Sequence, residues 1–90
     1  MKYIVFKRTW HSFIQEVPII FPSELNHEEV FHSLKGVDGM EDAVLVSAGF
    51  LDLLYAPHCF GNSDTLHMTS RGLADANMIK NYINNRGIID

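Results

Sequence analysis

Ala43-Val44-Leu45-Val46-Ser47-Ala48-Gly49-Phe50-Leu51-Asp52-Leu53-Leu54-Tyr55 is the most apolar window of the 90-residue chain, interrupted only by Ser47 and Asp52. A helix that spans a bilayer takes about 20 apolar residues, so this run is too short. Gly49 stands in its middle, where a helix would lose about 1 kcal/mol relative to alanine. Turn-forming residues flank it, Gly36 to Asp42 before and Ala56-Pro57 after. The pattern predicts a buried strand that bends or bulges at Gly49 and continues, or returns, through Phe50 to Tyr55. Ala43 to Tyr55 is therefore expected to be the most buried segment.

Working outward, Lys2 to Lys7 carries the β-formers Tyr3, Ile4, Val5 and Phe6, apolar on both faces, which places it inside a sheet. Arg8 to Ser12 reads as a turn. Phe13 to Phe21 reads as a second strand, which Pro18 confines to an edge or a bulge. After the connector Pro22 to Leu25, Asn26 is a helix N-cap. His27, Glu28 and Glu29 form the first turn, Val30, Phe31 and Leu34 the apolar stripe, and Gly36 the stop. Beyond the central run, Pro57 to Phe60 and Thr65 to Thr69 read as short strands separated by a turn at Gly61 to Asp64. A C-terminal helix from Arg71 to Asn85 follows, N-capped by Ser70 and closed by Arg86-Gly87. Its packing face is Ala76, Ile79, Tyr82 and Ile83. The order predicts one α+β domain over residues 1–90. Its sheet is small, antiparallel or mixed, built from an N-terminal hairpin and two or three further strands. The helices share one face, with the C-terminal helix packed on the sheet.

Composition narrows the function classes. An apolar fraction of 47% supports a real core and argues against disorder. The net charge of −4 argues against a general binder of the phosphate backbone. Domains this small gain stability from oligomerisation, so a homo-oligomer is an open alternative. Cys59 is the single cysteine, which excludes an intrachain disulfide and a multi-thiolate zinc site. The first residues lack the long apolar region of a signal peptide, so a cytoplasmic location is expected, with no membrane partner.

Five histidines, His11, His27, His32, His58 and His67, have no metal-ligand spacing; His27 and His32 are five apart, not four. Neither a metal site nor a cofactor is expected. A nucleophile on Cys59 would need a base, but His58, adjacent in a strand, points to the other face, and only His67 from a neighbouring strand could serve. A lone cysteine beside Phe60 reads more simply as a small buried hydrophobe. Ser63, His67, Ser70, Arg71 and Asp75 gather polar groups around the start of the C-terminal helix. A helix start with free N–H groups, a hydroxyl and an arginine can hold an anion. The simpler reading is a cap with an exposed Arg71–Asp75 ion pair worth less than about 1 kcal/mol. Trp10, in the predicted turn, is the candidate interface aromatic, with folding back onto the hairpin as the equal alternative.

Several of these segments come together in a resemblance. Met1 to Phe6 matches a Met-Lys-Tyr-apolar-apolar-Phe start, and Ile20-Phe21-Pro22 an apolar-Phe-Pro step before a short helix. Ser47 to Phe50 matches a Ser-Ala-Gly-Phe segment. Gly61, Ser63, Leu66, Ser70, Arg71, Asp75 and Ala76 match a Gly-x-Ser-x-x-Leu motif followed by Ser-Arg and Asp-Ala. The chain thus resembles a family of small phage- and prophage-encoded proteins. It departs from them at Gly72 and Leu73, where they favour Pro then Glu. The resemblance implies an accessory protein of a mobile element in the bacterial cytoplasm, and carries no activity or site residue. The expected function is non-enzymatic: contact with a host or phage protein, with inhibition of a host defence system as one form. Two alternatives stand beside it, a binder of an anionic nucleotide at the C-terminal helix start and a small hydrolase built on Cys59 or the histidines.

Overall fold

A computed structural model describes residues 1–89; the side chains of Trp10 and of residues 85–89 lie outside the described ones. The elements are β1 (Lys2–Trp10), β2 (Phe13–Phe21), α1 (His27–Lys35), β3 (Val44–Asp52), β4 (His58–Phe60), β5 (Asn62–Ser63), β6 (Met68–Thr69) and α2 (Leu73–Ile89). Four strands form one antiparallel sheet in the order β2-β1-β3-β4, and β5 pairs with β6 in a two-stranded ribbon. The protein is an α+β fold with its C-terminal helix packed on the sheet, as the sequence predicts.

β1 is central because it is apolar on both faces. Tyr3, Ile4, Val5 and Phe6 are all fully buried, and they, rather than the whole of Ala43 to Tyr55, are the most buried stretch. β2 lies at the edge, where Pro18 leaves no ladder donor missing on a covered side. The turn between them is tighter than the expected Arg8 to Ser12. β1 runs on to Trp10, and His11 and Ser12 alone make the turn, both left-handed at φ 48° and 70°. Such two-residue turns follow the twist of a hairpin, but their usual signature is Asn-Gly, absent here.

Side chains alternate along β1, so two cores form. Tyr3 and Val5 cluster with Leu51, Cys59, Ala76 and Ile79 beneath α2. Ile4 clusters with Phe21 and Ala48, against Val30 and Phe31 of α1 and Leu66 and Met68 of the small ribbon. The two helices therefore cover opposite faces of the sheet, not one. Both faces of the central strands are apolar, and each requires its own cover.

β3 corrects two expectations. Its bulge is at Val46: Val5 faces Ser47 and Phe6 faces Leu45, leaving Val46 as the extra residue. Gly49 stays in register opposite Tyr3, and its glycine is required by space. A Cβ there would lie 2.5 Å from the Phe60 carbonyl oxygen and 3.1 Å from Ser70 Cβ. The strand also stops at Asp52, which pairs with His58, the first residue of β4. Leu53 to Tyr55 leave the sheet and are exposed.

α1 follows expectation. Asn26 Oδ1 accepts the Glu28 N–H at 2.8 Å, and the helix ends before Gly36. His27 in its first turn is buried. β6 is only Met68–Thr69, because Asp64 to His67 form the turn and Asn62–Ser63 form β5. α2 starts at Leu73 rather than Arg71 and passes Gly87 to end at Ile89. Gly72 has φ 57°, a left-handed value that proline, fixed near −65°, could not adopt.

Candidate functional site

Of the residues singled out in the sequence, Ser70, Arg71 and Asp75 come together at the start of α2. Ala76 N–H bonds to the Gly72 carbonyl, so Gly72 stands at the cap position. Ser70 is two residues earlier, and its hydroxyl accepts the Gly72 N–H at 2.9 Å. Asp75 is not at an exposed edge but completely buried. Its carboxylate accepts from the Tyr3 hydroxyl at 2.6 Å, from the Arg71 N–H at 2.9 Å and from Arg71 Nε at 2.7 Å. Tyr3 Oη also lies 2.7 Å from Ser70 Oγ, which ties β1, the loop before α2 and the helix itself into one network.

Electrostatics follow this geometry. Burial alone would raise the pKa of Asp75. The hydrogen bonds from Tyr3 and from the Arg71 backbone and side chain outweigh it, and the carboxyl sits below its ordinary range. Ser47, fully buried on the same face, also favours the carboxylate charge, although its Oγ makes no hydrogen bond of good geometry. Burial, then the bond to Asp75, pushes the Tyr3 phenol far up, so Tyr3 stays a neutral donor. Arg71 loses solvent but gains Glu16 at 3.1 Å and Asp75, which together hold its charge more firmly.

The consequence is chemical. The position that an anionic ligand would take at this helix start is filled by the protein's own Asp75, whose donors are engaged. The arrangement works as a staple between α2, β1 and β2.

The remaining candidates lie elsewhere. Ser63 is buried in β5, where its hydroxyl accepts the Leu66 N–H at 3.3 Å. His67 is exposed in the turn at φ 53°. Among the described residues no hydrogen bond links either of them to the Asp75 network. Trp10 closes β1 in the backbone, and its side chain is outside the described residues. Cys59 is buried, and burial raises its thiol pKa, which disfavours the nucleophilic thiolate. Among the described residues no three His, Cys, Asp or Glu side chains gather as a metal cluster, and no helix is long and apolar enough to cross a membrane.

The surface that sequence reasoning missed is the β3–β4 loop. Leu53, Leu54 and Tyr55 are 41%, 76% and 96% exposed, and Ile83 of α2 is 40% exposed. Leu53, Tyr55, Ala56 and Pro57 line a cleft with Lys80, Ile83 and Asn84, about 390 Å³ in volume. The loop has internal support: Asp52 Oδ1 accepts the Leu54 N–H at 2.9 Å, and Pro57 restricts the return to β4. The reading missed it because an apolar run announces burial, and nothing local marks where the partner strand ends. Tyr82 and Ile83, expected in the packing face of α2, are on its exposed side, while Ala76 and Ile79 are buried. No family model, curated protein or solved structure matches the chain.

Proposed function

We propose that the protein is a non-enzymatic binding module that acts by contact with another protein. The observation that carries this reading is the exposure of Leu53, Leu54 and Tyr55 on a braced loop beside Ile83. Contiguous exposed apolar residues of this size are characteristic of interaction sites, and tyrosine is enriched among residues that dominate interface energy. Bracing reduces the ordering cost of association. Lys80 at the edge of the cleft suits a partner whose apolar face is flanked by a carboxylate.

The resemblance to phage and prophage proteins supports a host or phage protein in the bacterial cytoplasm as the partner, and inhibition of a host defence system as the form the contact takes. The test is capture from bacterial cells that express the tagged protein. Wild type is expected to retain a specific protein, and the double variant Leu54→Ser/Tyr55→Ser to lose it with its melting temperature unchanged. Equal retention by the folded double variant would remove this surface from the account.

A further inference from the structure

A second cleft opens on the other face of the sheet, at the start of α1. It measures about 230 Å³ and is lined by Lys2, Asn26, His27, Phe50, Asn62, Ser63, Asp64 and Thr65. That is smaller than pockets for drug-sized ligands, about 300–1,000 Å³, and suits one small molecule.

His27 sets its chemistry. The ring is 5% exposed and stands edge-on to Phe21 and Phe50, with centroids at 5.5 and 5.8 Å. Nε2 lies 2.8 Å from the Gly49 carbonyl oxygen. A carbonyl only accepts, so Nε2 carries a proton, and in the tautomer protonated there Nδ1 is a lone-pair acceptor. Among the described residues Nδ1 has no protein partner. This is an acceptor held in one tautomer, on a side chain that is otherwise buried.

The rest of the lining supplies complementary groups. Lys2 Nζ donates to the Leu25 carbonyl at 2.9 Å, which leaves two of its N–H groups. Asn62 Nδ2 donates to Asp64 Oδ1 at 2.8 Å and keeps a second N–H. Phe50 forms an apolar wall. One ammonium and one carboxylate line the cleft, so it carries no net charge and favours a neutral ligand over a phosphate.

We propose that this cleft binds a free nucleoside whose base carries a ring N–H beside a carbonyl, as in uridine and guanosine. The ring N–H donates to His27 Nδ1, and the neighbouring carbonyl accepts from Lys2. The chain's net charge of −4 favours the free nucleoside over a nucleic-acid strand.

The experiment follows the His27 ring nitrogens by NMR while uridine, guanosine, 3-methyluridine, sodium phosphate or a short oligouridylate is added at up to millimolar concentration. Uridine and guanosine should move the Nδ1 resonance saturably. 3-Methyluridine, which lacks the ring N–H, and phosphate should not. Lys2→Met, with folding checked by its melting curve, should weaken uridine binding about tenfold. The proposal is overturned if neither uridine nor guanosine moves Nδ1, if 3-methyluridine matches uridine, or if folded Lys2→Met binds as wild type does. Tighter binding of oligouridylate than of uridine would assign the cleft to a nucleic-acid strand and overturn the free-nucleoside assignment.

Discussion

The start of α2 and the β3–β4 loop reverse the usual places of charge and hydrocarbon. Asp75, ionised, is fully buried, while Tyr55 and Leu54 are almost wholly in water. Asp75 tolerates burial because Tyr3 and Arg71 direct three donors at its two oxygens. A buried charge with such partners is costly to strip of them, and their hydrogen bonds offset its loss of solvent. Among the described residues Leu54 and Tyr55 have no comparable compensation. Asp75 is accounted for by stability, and the loop by the contact proposed for it.

The comparison breaks first at Asp75. Asp75→Ala should cost about 3–5 kcal/mol in urea denaturation, because it leaves the Arg71 N–H without its acceptor, the buried Tyr3 hydroxyl with Ser70 alone and the Arg71 guanidinium with Glu16 alone. Ile79→Ala, in the same core, should cost about 2–5 kcal/mol and serves as the apolar reference. A cost for Asp75→Ala below about 1 kcal/mol would mean that the network is not formed in solution.

A smaller effect is expected of Tyr3→Phe, which keeps the ring and removes one donor, at about 1–3 kcal/mol. The pH dependence of stability sharpens the comparison. The Asp75 pKa is lower folded than unfolded, so its contribution is complete above about pH 4 and is lost as pH falls through the folded-state value. Asp75→Asn should flatten that acid limb of stability. The Tyr3 pKa is higher folded than unfolded, so its contribution is complete below about pH 10 and declines as pH rises beyond it. Tyr3→Phe should flatten that alkaline limb. Acid and alkaline limbs unchanged in the two variants would detach the pH dependence from this network.

The smallest effect on stability belongs to the loop. Tyr55→Ser should shift unfolding by no more than about 0.5 kcal/mol, as substitutions of exposed groups do. A loss above about 2 kcal/mol would show that Tyr55 packs within the chain, and the contrast with Asp75 would collapse.

What local chemistry determines was legible in the sequence. The Asn26 cap, the boundaries of α1, the edge position of β2 with its Pro18 and the central position of β1 each follow from residues within a few positions. The meeting of Ser70, Arg71 and Asp75 was legible too, as a helix start. Only the tertiary structure decided that Tyr3, some seventy residues earlier, reaches Asp75 and turns a surface cap into a buried staple. The same holds for Leu53 to Tyr55, which share the composition of the strand before them and differ only in having no partner strand. His27 reads as one residue of a helical first turn until Gly49 on β3 meets its ring. Local propensity follows from short-range sterics and capping. Burial depends on which distant segments pair, and one residue of register or one missing strand reverses it.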